Sequence, residues 1–261
     1  MASFKIVQKK LKNPLTSTCR SERVSPHTVT TITIMRTKAL FAAAAILAAG
    51  FASSMAQSNV YSLNVVGYVN VVLKGGGKYN MIANPLKNSN NSITNLFKGA
   101  NMAGQDGSLV FTWNANATDF GAVIPQYSTD LNGWTDNINL APGQGFYYVN
   151  AGGSDITNTF VGEVIQGSYT NPIVGSGAYN LIGSSAPIGG SFTNSIGGLP
   201  GNDGDVVFTW DANATDFGGV IPQYSTDLNG WDNNVNVGVG EALFYVRAGS
   251  GVQWVRNFTV Q

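Results

Sequence analysis

Val110–Trp134 reads VFTWNANATDFGAVIPQYSTDLNGW, and Val207–Trp231 reads VFTWDANATDFGGVIPQYSTDLNGW. The two stretches are offset by 97 positions and agree at 23 of 25, differing at Asn114/Asp211 and Ala122/Gly219. Leu109, Phe111 and Trp113 alternate with Val110 and Thr112, the two-residue period of a strand. Asn132-Gly133, Asn229-Gly230, Asp106-Gly107, Asp203-Gly204 and Pro142-Gly143 supply the positive φ that tight turns need. Pro125 and Pro222 interrupt strand-like runs, which places those runs at an edge or a bulge, because proline cannot donate to a ladder. A duplicated unit of short strands and tight turns predicts an all-β fold.

The likeness weakens outward. From Thr135/Asp232 to Val149/Val246 only 5 of 15 positions agree. Upstream, Tyr79-Asn-Met-Ile82 pairs with Tyr179-Asn-Leu-Ile182 at offset 100, and downstream Phe160 pairs with Phe258 at offset 98. The repeats are therefore 57–165 and 166–261, with a repeat unit of about 95 residues and a boundary near Glu163–Tyr169. Two copies are too few for a solenoid or propeller. The expectation is two tandem β-sandwich-like or short-barrel repeats, either separate domains or halves of one pseudo-symmetric body. Val65–Leu73, Phe146–Val149 and Leu243–Val246 read as further strands, and Ser92–Phe97 as one helical turn.

Charged residues make up 11% of the 261 and aromatics 11%, a mix wrong for a helical bundle and for a disordered polyelectrolyte. Met35-Arg-Thr-Lys38 opens on a basic note, and Ala39–Ala52 is an apolar run of 14 residues. Ser54-Met55-Ala56 then places small residues before Gln57, which completes the layout of a secretory signal peptide. Fourteen residues are too few to cross a bilayer core as a helix. We therefore expect a signal peptide over 35–56, cleavage between Ala56 and Gln57, and residues 1–34 as an upstream extension before the initiator Met35. The remaining 205 residues carry 6 basic and 13 acidic side chains, which disfavours nucleic acid and anionic membranes as partners. They also lack Cys and His, because Cys19 and His27 both lie in the leader. That excludes disulfides, thiol catalysis, Ser-His-Asp triads and His- or Cys-ligated zinc from the exported part. No second long apolar run follows, so no membrane span is expected in it.

Four motifs of the first repeat, Asn64-Val-Val-Gly-Tyr-Val-Asn70, Tyr79-Asn-Met-Ile-Ala-Asn-Pro85, Leu140-Ala-Pro-Gly-Gln-Gly-Phe146 and Phe160-Val-Gly-Glu-Val164, resemble those of secreted β-repeat proteins from Verrucomicrobiota and similar bacteria. The second repeat departs from them: Gly183-Ser184-Ser185 stands for Ala-Asn-Pro, and Gly238-Val-Gly-Glu-Ala242 for Ala-Pro-Gly-Gln-Gly. The resemblance implies export and a β fold. It brings no catalytic residue onto this chain.

Two constellations compete for a binding role. Asp130, Asn132 and Gly133, repeated as Asp227, Asn229 and Gly230, offer two side-chain oxygens and a turn, which suits Ca²⁺; the same residues suit a plain Asn-Gly hairpin. Asp136 would complete the first site, but its counterpart is Asn233, and the loop lacks the ligand set of an EF-hand. Trp134, Tyr127 and Gln126, with Trp231, Tyr224 and Gln223, suit a sugar surface on which rings meet C–H faces and amides bind hydroxyls. Trp113 and Trp210 read as core residues, and the Trp after each turn as the exposed one. Glu163 and Glu241 are the only glutamates after the leader, and no paired carboxylates suit glycoside hydrolysis. The expected function is a non-enzymatic secreted or cell-surface structural or interaction protein, with cell-surface or matrix polymers as partners. The alternative is an extracellular carbohydrate-binding module, assisted by calcium and otherwise needing no cofactor.

Overall fold

The computed structural model describes residues 65–102, 104–193 and 198–260, without the side chains of 100 and 101. The expected extension, signal peptide and Ala56/Gln57 cleavage point lie outside them. The described residues belong to one compact unit and are almost entirely β. No helix among them is long and apolar enough to cross a membrane.

The first repeat holds β1 (Val66–Leu73), β2 (Lys78–Ala83), the α-helical turn α1 (Ile93–Leu96), a 3-10 turn (Gly99–Met102), β3 (Leu109–Asn114), β4 (Asp119–Phe120), β5 (Tyr127–Ser128), β6 (Gly133–Trp134), β7 (Gly145–Asn150) and β8 (Ile156–Glu163). The second holds β9 (Gly167–Ile173), β10 (Ala178–Gly183), β11 (Gly190–Ser191), β12 (Val206–Phe208), β13 (Trp210–Asp211), β14 (Asp216–Phe217), β15 (Tyr224–Ser225), β16 (Gly230–Trp231), β17 (Asn236–Val237), β18 (Ala242–Arg247) and β19 (Val252–Phe258). Pairing is antiparallel and repeats itself. β1 pairs with β8 and β9 with β19; β7 lies between β2 and β3, and β18 between β10 and β12. Register repeats too: Val110 faces Tyr148 as Val207 faces Tyr245, Trp113 faces Phe120 as Trp210 faces Phe217, and Tyr127 faces Trp134 as Tyr224 faces Trp231. Pro125 and Pro222 sit outside named strands, where each carbonyl accepts one backbone bond from β3 or β12.

One expected pairing is corrected. Leu73 faces Ile156 and Ile173 faces Val252, so Val252 takes the place of Ile156 and Arg256 that of Phe160. Phe258, matched to Phe160 by letter, stands two residues further on. A slip of two keeps every side chain on its face, so identity and alternation alone do not separate the two registers.

β1 alternates exposed and buried residues, because one face covers a core and the other meets water. β7 is buried at all six positions. Its Phe146 and Tyr148 join Val69, Leu73, Phe97 and Phe160 in the core of the first repeat. Its Tyr147 points the other way and joins Met81, Leu181, Ala242 and Phe244, a cluster drawn from both repeats. The continuous aromatic run of β7 follows from this double burial. Ile173, Phe192, Val207, Tyr245 and Trp254 form the core of the second repeat.

Candidate functional site

The two repeats meet along a seam held by equivalent backbone bonds. The Ala83 N–H donates to the Gly240 carbonyl at 2.9 Å, and the Gly183 N–H to the Gly143 carbonyl at 3.0 Å. Gly143 and Gly240 have φ of +79° and +80°, the left-handed region that favours glycine. A Cβ at Gly143 would meet Asn171 Nδ2 at 2.8 Å, and one at Gly240 would meet Val71 Cγ2 at 2.6 Å. Each glycine thus lets its turn press against the other repeat.

Beside these turns the duplicated hairpins face each other. The Trp113 indole N–H donates to the Tyr179 carbonyl at 2.6 Å, and the Trp210 indole N–H to the Tyr79 carbonyl at 2.7 Å. Between them opens a cavity of about 430 Å³, lined by five residues from each repeat. They fall into pairs: Trp113 with Trp210, Phe120 with Phe217, Thr118 with Thr215, Tyr79 with Tyr179, and Tyr147 with Phe244. Tyr147 and Phe244 are buried, whereas Tyr79, Tyr179, Phe120 and Phe217 are exposed. The rings meet nearly at right angles: 89° for Trp113 on Phe120 and Trp210 on Phe217, 80° for Trp113 on Phe244, 79° for Tyr147 on Trp210. Thr118 and Thr215, at φ of +53° and +57°, hold the hairpin bends in a conformation uncommon for β-branched residues. Burial raises the Tyr147 hydroxyl pKa well above its usual value.

The aromatic residues expected to bind are placed differently. Trp134 is buried: its indole donates to the Phe97 carbonyl at 3.3 Å, and its ring packs on Tyr127 and Tyr148. Trp231 is half-buried against Phe192, Tyr224 and Tyr245. The expectation that the Trp after each turn is exposed is therefore corrected, as is the placing of Trp113 and Trp210 wholly in a core. The reason is parity. Glycine begins each two-residue strand, so the Trp that follows it turns inward onto the repeat's own core. Gln126 and Gln223 pair through backbone atoms, donating N–H to Thr135 Oγ1 at 3.0 Å and Asp232 Oδ1 at 2.8 Å.

The loops carrying Asp130 and Asp227 are anchored from outside. Asp106 Oδ1 accepts the Thr129 N–H at 2.8 Å and its hydroxyl at 3.1 Å; Asp203 does the same for Thr226. Asn132 and Asn229 both have φ of +48°, the left-handed geometry of a tight turn. Among the described residues no group of three or more His, Cys, Asp or Glu gathers at Asp130–Asn132, at Asp227–Asn229 or elsewhere.

The Thr118–Phe120 and Thr215–Phe217 contributions are not legible from the sequence, because each follows a polar Asn-Ala-Thr-Asp stretch that carries no local sign of lining a cavity. A signal existed: both lie in the duplicated segment, and Tyr79/Tyr179 were already matched across repeats. No family model, curated protein or solved structure matches the chain.

Proposed function

We propose that the chain is an exported, non-enzymatic interaction protein of the cell surface or extracellular matrix. In this reading, two tandem β repeats of sandwich-like design meet as one pseudo-symmetric body and bind through the cavity between their duplicated hairpins. One observation carries it: the stretch that is nearly identical between repeats supplies Trp113, Thr118 and Phe120 and their equivalents to a single cavity. The lining residues are aromatic rings and two threonines, with no acid–base pair among them, which favours recognition over chemistry.

A carbohydrate-binding module is the second reading. Its support is the exposure of Tyr79, Tyr179, Phe120 and Phe217, rings a sugar face can stack on. The test is binding of the secreted protein to polysaccharide-rich envelope material and to a glycan array, with and without calcium. Phe120→Ala with Phe217→Ala should abolish envelope binding while leaving the melting temperature within a few degrees. Unchanged binding by that folded variant would remove the cavity from the account. Calcium-dependent array binding would favour the second reading.

A further inference from the structure

We infer that the cavity takes an organic cation without N–H donors, a quaternary ammonium group, held by cation–π contact. The inference rests on reading this cavity as the recognition site. Aromatic rings set at right angles make the walls of a box, and Trp faces attract cations most strongly. Both indole N–H groups are already spent on backbone carbonyls, so neither can bind an anion or a sugar hydroxyl. The threonine and tyrosine hydroxyls of the lining residues do not face the cavity, whose surface is apolar, so a sugar or a primary ammonium entering here would leave hydrogen bonds to water without replacement, which is costly. A quaternary ammonium makes none and loses none. A volume of about 430 Å³ admits such a group with its substituent.

Charge points the same way. Residues 65–260 carry 13 acids against 6 bases. Arg247 and Arg256 are buried, and Lys74 pairs with Asp155 at 2.9 Å. Asp119, Asp211 and Asp216 are exposed in the strand pairs next to the lining Trp and Phe residues. Lys78 is the opposing cation there, and its ammonium donates to the Asn213 carbonyl at 3.0 Å. The hairpin tips thus carry more negative than positive charge, which draws cations toward the mouth.

The test titrates the protein with choline and with its neutral isostere 3,3-dimethylbutan-1-ol, at fixed ionic strength, by tryptophan fluorescence and calorimetry. We expect saturable choline binding, about tenfold tighter than the alcohol, and displacement by tetramethylammonium. Phe120→Leu with Phe217→Leu should weaken choline several-fold while preserving the fold. Equal affinity for choline and the alcohol would overturn the cation in favour of a neutral apolar ligand. No saturable response to choline would overturn it outright. Envelope binding that still depends on Phe120 and Phe217 would, in that case, leave the proposed function standing.

Discussion

At the scale of the residue, two tryptophans and three tyrosines make the sharpest statements. Replacing Trp113 and Trp210 together by Phe keeps aromatic volume but leaves the Tyr79 and Tyr179 carbonyls without their partners. At about 1 kcal/mol per bond, the double variant should lose about 2 kcal/mol in urea unfolding with an unchanged m-value. Burial pushes the Tyr148 hydroxyl up to about 12, and those of Tyr147 and Tyr245 are raised as well. Because these folded-state values lie above the unfolded value of about 10, their contribution is fully present below that pH. It is lost as pH rises from about 10 through 12, since the unfolded chain then releases protons the folded chain retains. Ultraviolet titration should show Tyr147, Tyr148 and Tyr245 ionising late, together with loss of tertiary circular dichroism. A single phase near pH 10 with the fold intact would contradict this burial.

At the scale of the element, the repeats solve the same structural problem with different chemistry. Ser108 of the first repeat bonds the Ala151 N–H through its hydroxyl at 3.1 Å; Asp205 of the second accepts the equivalent Ala248 N–H at 2.8 Å. Asp205 also takes Arg247 at 2.8 Å and the Tyr245 hydroxyl, where the first repeat has Asn150 and Tyr148. Asp205→Ser alone leaves the buried Arg247 guanidinium with the Pro200 and Ser250 carbonyls but without its counter-charge, and should cost about 3 kcal/mol, the low end of the usual penalty of about 3–5 kcal/mol for breaking a buried pair. Adding Arg247→Asn, which restores the neutral pair of the first repeat, should recover most of that loss in a double-mutant cycle. Additive losses would refute the equivalence. The turn glycines give a second contrast. Gly240→Ala meets both an unfavourable φ and Val71, and should cost about 2–3 kcal/mol. Gly167→Ala has φ of +80° with nothing within 4 Å, and should cost only about 1 kcal/mol by thermal denaturation.

At the scale of the whole molecule, what was legible from sequence was local. Alternation at Leu109–Trp113 and the Asn-Gly turns set strand and hairpin correctly, because pleat and left-handed turn geometry act over a few residues. The face of Phe111 and Trp113 was illegible, because what covers it is the other repeat, about a hundred positions away in sequence. The same long-range contact made β7 and β18 buried on both faces, and it made a polar-looking bend the wall of a cavity. Arg256 in the place of Phe160 was hidden for a related reason. It is buried beneath Tyr169 and Trp254, with its guanidinium carbon 4.7 Å and 3.7 Å from their ring centroids, a partnership that no local pattern announces.

The seam is the central claim, and hydrogen exchange of the indole N–H groups, resolved in a ¹⁵N-labelled spectrum, tests it most directly. Trp113 and Trp210 are only half-buried, yet each indole N–H is bonded to a carbonyl of the opposite repeat. We predict that both exchange many times more slowly than free indole. Gly240→Ala, which wedges the seam, should accelerate both together. Exchange of Trp113 and Trp210 at the free-indole rate, or acceleration of one without the other, would contradict the account.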